Sequence, residues 1–345
     1  MRFIGCKKLL LENIKTVVND VAPEAKIFCD IFSGTGTVGR YFKQWFQVYS
    51  NDLLYFSYVL QKGTIENDDL PQFKGLLKKG INDPIAYLNS LDIKEMEVLP
   101  HDKRFFQNNY APLGNRMYIN NENALRIDFA RNILEEWKNE KIITENEYFY
   151  ILACIIEGIP FVSNISGTYG AFHKTWERRT FKKYELFPLE VIHNGKNNKC
   201  FNEDGVKLLE RISGDVLYID PPYNERQYLP NYHVLETAAK YDFPKLKGTT
   251  GGRSYENQKS DFCSKKTAIQ AFDNLIKNAK FSHIILSYST DGIMPIEEIK
   301  AVMQKYGVAT SFKIYEIPYR RYKSRAQQEK AELKELLIYV RKECI

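Results

Sequence analysis

An acid, two prolines and an aromatic ring follow one another at Asp220, Pro221, Pro222 and Tyr223, directly after the apolar run VLYI. The run reads as a buried strand, so these four residues stand at a strand end. There they offer what an exocyclic amino group needs before it can be methylated. A ring-conjugated amino nitrogen is a poor nucleophile, and a site must accept its N–H hydrogens to draw the lone pair out of the ring. The Asp220 carboxylate and the Pro221 carbonyl can accept both. Proline fixes φ and donates no N–H, so the peptide presents carbonyls with little freedom. The Tyr223 ring adds a stacking face for a flat base. The same tetrapeptide also suits a plain Pro-rich exit from strand to turn.

A second group sits near the N-terminus. GTGTVG at Gly34 to Gly39 matches the GxGxxG pattern after the strand-like KIFCDIF, and Asp52 closes the next strand-like run, where an acid can bond ribose hydroxyls. Glycines let a backbone approach a nucleotide-like ligand closely, but they do not identify it. An NAD enzyme fits this loop nearly as well, and so does a turn packed for helix–strand contact. DPPY separates the readings, because a hydride-transfer site has no use for a paired carboxylate and prolyl carbonyl at a base-sized slot.

Both groups require a frame. Strand-like and helix-like segments alternate at the two ends of the chain, which implies an α/β fold with a mainly parallel sheet covered on both faces. TSFKIYEI and ELLIYVR lack a helix-length apolar connection and read as an antiparallel pair around a basic insert. Between residues 61 and 211 the apolar periods weaken and charge rises, so residues 1–60 and 212–345 are expected to form one domain and 61–211 an inserted module. YFYILACII is too short to span a bilayer and reads as a core helix.

Composition adds bounds. The 345 residues can bury a sizeable core, and the net charge of +6 tilts the chain mildly toward polyanions. Six scattered cysteines without CxxC spacing point to a reduced, cytoplasmic protein with no structural zinc. The five histidines, His101, His173, His193, His233 and His283, show no ligand spacing, and His233 reads as a hydrogen-bonded structural residue. Two clusters, KTWERRTFKK and YRRYKSR, interleave basic and aromatic residues as a nucleic-acid contact surface would.

With FSGTG and DPPY both present, the chain resembles the Dam-like, alpha-group DNA adenine-N6 methyltransferases over nearly its whole length. RFIGCKKLLLENI is similar to that family's N-terminal cofactor motif, which implies that Lys7 meets the methionine carboxylate of S-adenosylmethionine. CDIFSGTGTVG resembles the cofactor loop and brings Asp30, Phe32, Ser33, Gly34 and Gly36 into cofactor binding, with Asp52 on the ribose. Asp204 matches the partner of the cofactor's adenine amino group, although Glu203 beside it could serve equally.

YIDPPYNERQYLPNYHVLET resembles the catalytic segment, with Asp220, Pro221, Pro222 and Tyr223 as its reacting core, and ILSYSTDGI the strand motif that follows. EIPYRRYKS is similar to the final aromatic-basic motif beside the flipped base, which implies DNA contacts from Arg320, Arg321 and Lys323. GTYGAFHKTWERR resembles a recurring segment of the inserted region and receives no role.

The resemblance implies a Rossmann-like methyltransferase sheet with an antiparallel final strand, plus an inserted target-recognition module. It also implies S-adenosylmethionine as cofactor, duplex DNA as partner, no metal and no membrane. The expected activity is site-specific methylation of a flipped adenine at N6 within a restriction-modification system, a cognate endonuclease acting separately. The alternative is an RNA or protein-glutamine amino methyltransferase, whose motifs usually carry Asn in place of Asp220. A non-catalytic nucleotide-binding module fits less well, because both halves of a reaction site are present.

Overall fold

The structure is a computed structural model, in which residues 3–318 and 334–343 are described. The chain divides into two compact units. The first to be considered comprises Cys6–Leu53, Lys196–Gln227 and Gln258–Ile345 and is built on one sheet.

Among the described residues its seven strands are β1 (Ile27–Asp30), β2 (Gln47–Asn51), β3 (Lys199–Phe201), β4 (Ser213–Ile219), β5 (Lys280–Ser289), β6 (Lys313–Pro318) and β7 (Lys334–Arg341). They lie in the order β3-β2-β1-β4-β5-β7-β6. The pairs among β3, β2, β1, β4 and β5 are parallel. β7 is antiparallel to both β5 and β6, as expected for the two last β-rich runs. β1 and β4 are buried at nearly every position along their second halves, the near-continuous apolar pattern of strands covered on both faces.

Helix Leu11–Val21 buries Ile14, Val17 and Val18, and helix Ala268–Asn278 buries Ala268, Ala271, Phe272, Leu275 and Ile276. Both patterns give one apolar stripe at helical spacing for the sheet to bury. A core of Cys29, Ile31, Leu217, Ile219, Phe272, Ile284, Leu286 and Ile338 fills this unit. From β1 the chain moves outward to β2 and β3, then returns to β4 on the other side of β1. In an open parallel sheet such a reversal leaves a crevice at the carboxyl ends of the two central strands. The glycine loop follows β1 and Asp220 follows β4, so the topology carries both groups to that position.

The other unit comprises Met1–Gly5, Leu54–Gly195 and Tyr228–Asn257 and is helical. Helix Glu145–Val162 is buried almost all round, from Tyr148 to Ile159, as an apolar helix at the centre of a bundle must be. Thr144 and Glu147 form its capping box. Buried carboxylates begin two other helices. Asp128 accepts the Phe106 and Gln107 amides at 2.8 and 2.9 Å, and Glu236 those of Tyr55 and Phe56 at 3.1 and 2.9 Å. The charge seen in this stretch of sequence is therefore partly internal.

The unit boundaries differ from the expected 61–211. Residues 196–211 belong with the sheet, because Lys199–Phe201 pairs with β2 through Tyr49, Ser50 and Asn51. Residues 54–60 and 228–257 belong with the helices, where Phe56, Leu60, Leu229, Val234 and Leu235 enter the helical core. Among the described residues, no helix is long and apolar enough to cross a membrane.

Candidate active site

The turn after β1 is held by its own side chains. Ser33 Oγ donates to the Asp30 carbonyl at 2.6 Å and lies 2.7 Å from Ser50 Oγ on β2. Gly34 and Gly36 take φ of 54° and 74°, a left-handed backbone that glycine adopts without the Cβ penalty. The Gly34 N–H donates to Asp52 Oδ2 at 2.8 Å, so the acid expected on a ribose stands against the glycine loop. Phe32 is half-buried, its ring edge-on to Phe262 at 5.1 Å. Asp204 is exposed and caps the short helix Gly205–Leu208 by accepting the Lys207 amide; it is a solvated helix start. Its neighbour Glu203 pairs with Arg211.

Asp30, at the end of β1, is 1 % exposed, and among the described residues neither carboxylate oxygen has a hydrogen-bond partner. Burial, reinforced by the charge of Asp220, pushes it well above the usual carboxylate range; Ser33 and the Gly39 amide oppose the shift without aligning as hydrogen bonds. A buried carboxyl left in this state carries a desolvation cost of about 1–3 kcal/mol or more, which a cationic ligand group would relieve.

Asp220 lies one residue beyond β4 with its side chain 16 % exposed. Burial raises it to about 6, with Lys7 opposing and Glu335 assisting. The Lys7 Nζ is 3.2 Å from Asp220 Oδ1 and also pairs with Glu335 Oε1. Burial works against the Lys7 charge, but Asp220 and Glu335 more than offset it and hold the ammonium above its ordinary range. Lys7 was expected on a cofactor carboxylate; here its partners are two carboxylates of the chain itself.

The Tyr223 ring is nearly buried, 5.6 Å from Lys7 Nζ and edge-on to Tyr288 at 6.4 Å. Tyr288 is fixed in turn by its hydroxyl, which accepts the Met294 amide at 2.8 Å. Gly292 makes room for it, since a Cβ there would lie 2.4 Å from the Tyr288 ring. That accounts for the ILSYSTDGI motif as a support for the Tyr223 ring.

The sequence reading missed Glu335 and Ser287. Glu335, at the head of β7, is 5 % exposed and accepts the Ser287 hydroxyl at 2.9 Å. An acid heading an otherwise apolar strand was the available signal, because acids are rarely buried without a partner. Arg320, Arg321 and Lys323 lie outside the described residues.

The histidines divide. His233 is buried in the helical unit, its Nε2 donating to the Tyr169 carbonyl at 2.9 Å, and burial lowers it to about 4. His193 stands 3.1 Å from both Asp68 and Asp69, a grouping that sequence spacing hides, but His193 and Asp69 are exposed and Asp68 is half-buried. In the KTWERRTFKK segment, Thr180 is buried while Phe181 is exposed. Arg179, Lys182 and Lys183 line a cavity of about 720 Å³ in the helical unit, together with Phe161, Phe187 and Tyr232.

Known proteins resemble this chain over nearly its whole length. Residues 3–304 match the family model described as D12 class N6 adenine-specific DNA methyltransferase. The chain is 49 % identical over 346 residues to the Type II methyltransferase M.FokI of Planomicrobium okeanokoites, covering 99 % of this chain and 53 % of that protein. It is 42 % identical to the modification methylase StsI of Streptococcus sanguinis, covering 99 % and 52 %. With the Type II methyltransferase M.NlaIII of Neisseria lactamica it shares 36 % identity over 94 % of this chain and 93 % of the relative. The chain thus spans about half the length of the first two relatives and nearly all of the third. It belongs to the D12 class of N6 adenine-specific DNA methyltransferases.

Proposed function

We propose that this chain transfers a methyl group from S-adenosylmethionine to N6 of an adenine in duplex DNA. The observation that carries the reading is the buried Asp220 carboxylate, set at the end of β4 beside the glycine loop of β1 and followed by Pro221, Pro222 and the ring of Tyr223.

The cofactor fits the residues present. Asp30, buried and without a partner, suits a cationic ammonium; Gly34 and Gly36 keep the loop free of side chains; Asp52, already turned to this loop, suits ribose hydroxyls. Lys7 is the remaining cofactor candidate. When bound, the cofactor supplies an electrophilic methyl on sulfur.

The chain's residues do the rest by position and charge. N6 lies inside the duplex, so the base must be flipped at a cost of a few kcal/mol. Stacking on Tyr223 returns about 1–3 kcal/mol of that. Asp220 and the Pro221 carbonyl accept the two amino hydrogens, which localises the lone pair on N6. N6 takes the methyl as the methyl–sulfur bond breaks and its electron pair stays on sulfur, so that a neutral thioether leaves, and one N6 proton passes to water; no covalent enzyme intermediate is needed.

For the helical unit we propose target recognition, with the basic and aromatic side chains around Arg179, Lys182 and Phe187 as a contact surface. Phosphate contacts from Arg320, Arg321 and Lys323 complete the DNA-binding proposal. The relatives are named as Type II methyltransferases and modification methylases. For this chain we accordingly propose a role in a restriction-modification system of the cytoplasm, with a cognate endonuclease acting separately.

The test supplies tritiated S-adenosylmethionine with duplex DNA, structured RNA and protein extract in parallel, followed by nucleoside and amino-acid analysis. The reading expects label as N6-methyladenine in DNA; label confined to RNA or protein would overturn it.

A further inference from the structure

We propose that Glu335 is a positioning residue for the transfer step: it seats the Lys7 ammonium and so decides how much of the Asp220 carboxylate is left for the substrate amino group. The proposal rests on the reading of Asp220 as the amino acceptor.

The geometry is asymmetric. Glu335 sits on β7, which pairs with β5 from Glu335 to Arg341 and with β6 on its other side, and Glu335 is opposite Ser289. Its Oε1 also takes the Ser287 hydroxyl at 2.9 Å. Glu335 is therefore a fixed acceptor in a sheet, whereas Asp220 lies in the turn that follows β4. Lys7 bridges them through Nζ, meeting Glu335 Oε1 closely and Asp220 Oδ1 at 3.2 Å.

An ammonium shared in this way leaves Asp220 only partly engaged. Without the Glu335 charge, Asp220 would be the one carboxylate that the described residues pair with Lys7. A full charge-assisted pair is among the stronger hydrogen bonds in a protein. Asp220 would then be the more acidic group and the poorer acceptor of an amino hydrogen, because its lone pairs would already be held. The other groups facing Asp220 are Asp30 and the buried Tyr218 hydroxyl, while Tyr223 faces Lys7. None of these can replace Glu335 as a seat for the ammonium: burial and the Asp220 charge push Asp30 well above the usual carboxylate range, burial pushes the Tyr218 phenol up, and Tyr223 offers Lys7 a ring face rather than a carboxylate.

The experiment compares wild type with Glu335→Gln, Glu335→Asp and Ser287→Ala. Two quantities are read: the Asp220 carboxyl titration by ¹³C NMR in the ligand-free protein, and single-turnover methyl transfer to unmethylated plasmid DNA against pH. In Glu335→Gln the Asp220 titration should fall from about 6. Its rate should fall by at least about tenfold while DNA affinity stays within about threefold, the pattern of a loss confined to the transition state.

Glu335→Asp keeps the charge and should restore the titration and at least half of the lost log-rate, a rescue that a merely loosened core would not give. Ser287→Ala unhooks Glu335 without changing any charge and should slow transfer by a few-fold. A folded Glu335→Gln with unmoved titration and a rate within about twofold of wild type would overturn the proposal. Should Glu335→Gln not fold, Ser287→Ala decides it, and normal titration and rate there would overturn it equally. Retained transfer in Asp220→Ala would instead overturn the amino-acceptor reading, whatever the Glu335 variants do.

Discussion

Asp128 in the helical unit and Asp30 in the sheet unit are both fully buried carboxylates, raised well above their ordinary range by burial. Asp128 accepts two backbone amides at the start of helix Phe105–Asn109, and among the described residues Asp30 accepts no hydrogen bond. The same contrast holds for the other buried groups. Glu236 caps helix Tyr55–Gln61 and His233 donates to a carbonyl, whereas Asp220 shares one ammonium with Glu335. Polar groups that a fold buries for its own sake are satisfied by the fold. Among the described residues, buried polar atoms without a hydrogen-bond partner occur in both units, on Ser57, Arg131 and Arg253 of the helical unit as well as on Asp30 and Asp220 of the sheet unit, but Asp30 is the one carboxylate with both oxygens in that state, a cost that a cationic ligand would relieve.

The largest expected effect breaks the site into its two halves. Asp220→Ala should lower methyl transfer by about 10³-fold or more, since a positioned charge-bearing acceptor is lost, while calorimetric S-adenosylmethionine affinity stays within a few-fold. Gly36→Val should abolish that affinity, because its φ of 74° and the close backbone approach both exclude a β-branched side chain. Equal loss of affinity in the two variants would dissolve the division of labour.

Stability against pH should separate Asp220 from His233 by sign. Asp220 titrates higher folded than unfolded. It therefore favours the folded state below about pH 4 and loses that contribution as pH rises through about 6, worth about 3 kcal/mol at about 1.4 kcal/mol per unit. His233 titrates lower folded than unfolded, near 4 rather than 6.5. Its contribution is complete above pH 6.5 and lost as pH falls toward 4, again by about 3 kcal/mol. Denaturation between pH 4 and 8 should show Asp220→Asn gaining stability over wild type as pH rises. His233→Gln should lose less than wild type as pH falls. Parallel pH curves for both variants and wild type would contradict these environments.

Asp128→Ala tests the satisfied side of the comparison. It strands the Phe106 and Gln107 amides, so unfolding free energy should drop by about 2–4 kcal/mol, while the folded fraction keeps its transfer rate. An unchanged denaturation midpoint would mean that the buried cap is dispensable.

The smallest effect concerns Asp30. If a cationic ammonium binds beside it, Asp30 should ionise and release a proton, so S-adenosylmethionine affinity should rise with pH, by at most about tenfold per unit. Calorimetry in buffers of different ionisation enthalpy measures that proton directly. No proton release would place the ammonium elsewhere.

Much of the sheet unit was legible because its strands are near-continuous apolar runs bounded by chemistry. VLYI and HIILSYS fall within β4 and β5, and ELLIYVR within β7. β3 was not legible: it is three residues long, and only its pairing with β2 makes it a strand. The boundary at 211 failed for that reason, and the boundary at 61 because Phe56 and Leu60 give no sign in sequence of which core they enter. In the site, DPPY and the glycine loop were readable as local motifs. Glu335 was not, because its meaning depends on Lys7, 328 residues away. Periodicity in the middle of the chain was masked by Asp128, Arg131 and Glu147, buried groups that read as surface charge.

The central claim is that Asp220 holds the amino group that is methylated. Single-turnover reactions of wild type and Asp220→Asn with tritiated S-adenosylmethionine and duplex DNA, followed by nucleoside analysis, test it most directly. The account expects N6-methyladenine from wild type and essentially none from Asp220→Asn, although the variant still binds cofactor and DNA. N6-methyladenine formed by Asp220→Asn at the wild-type rate would contradict it.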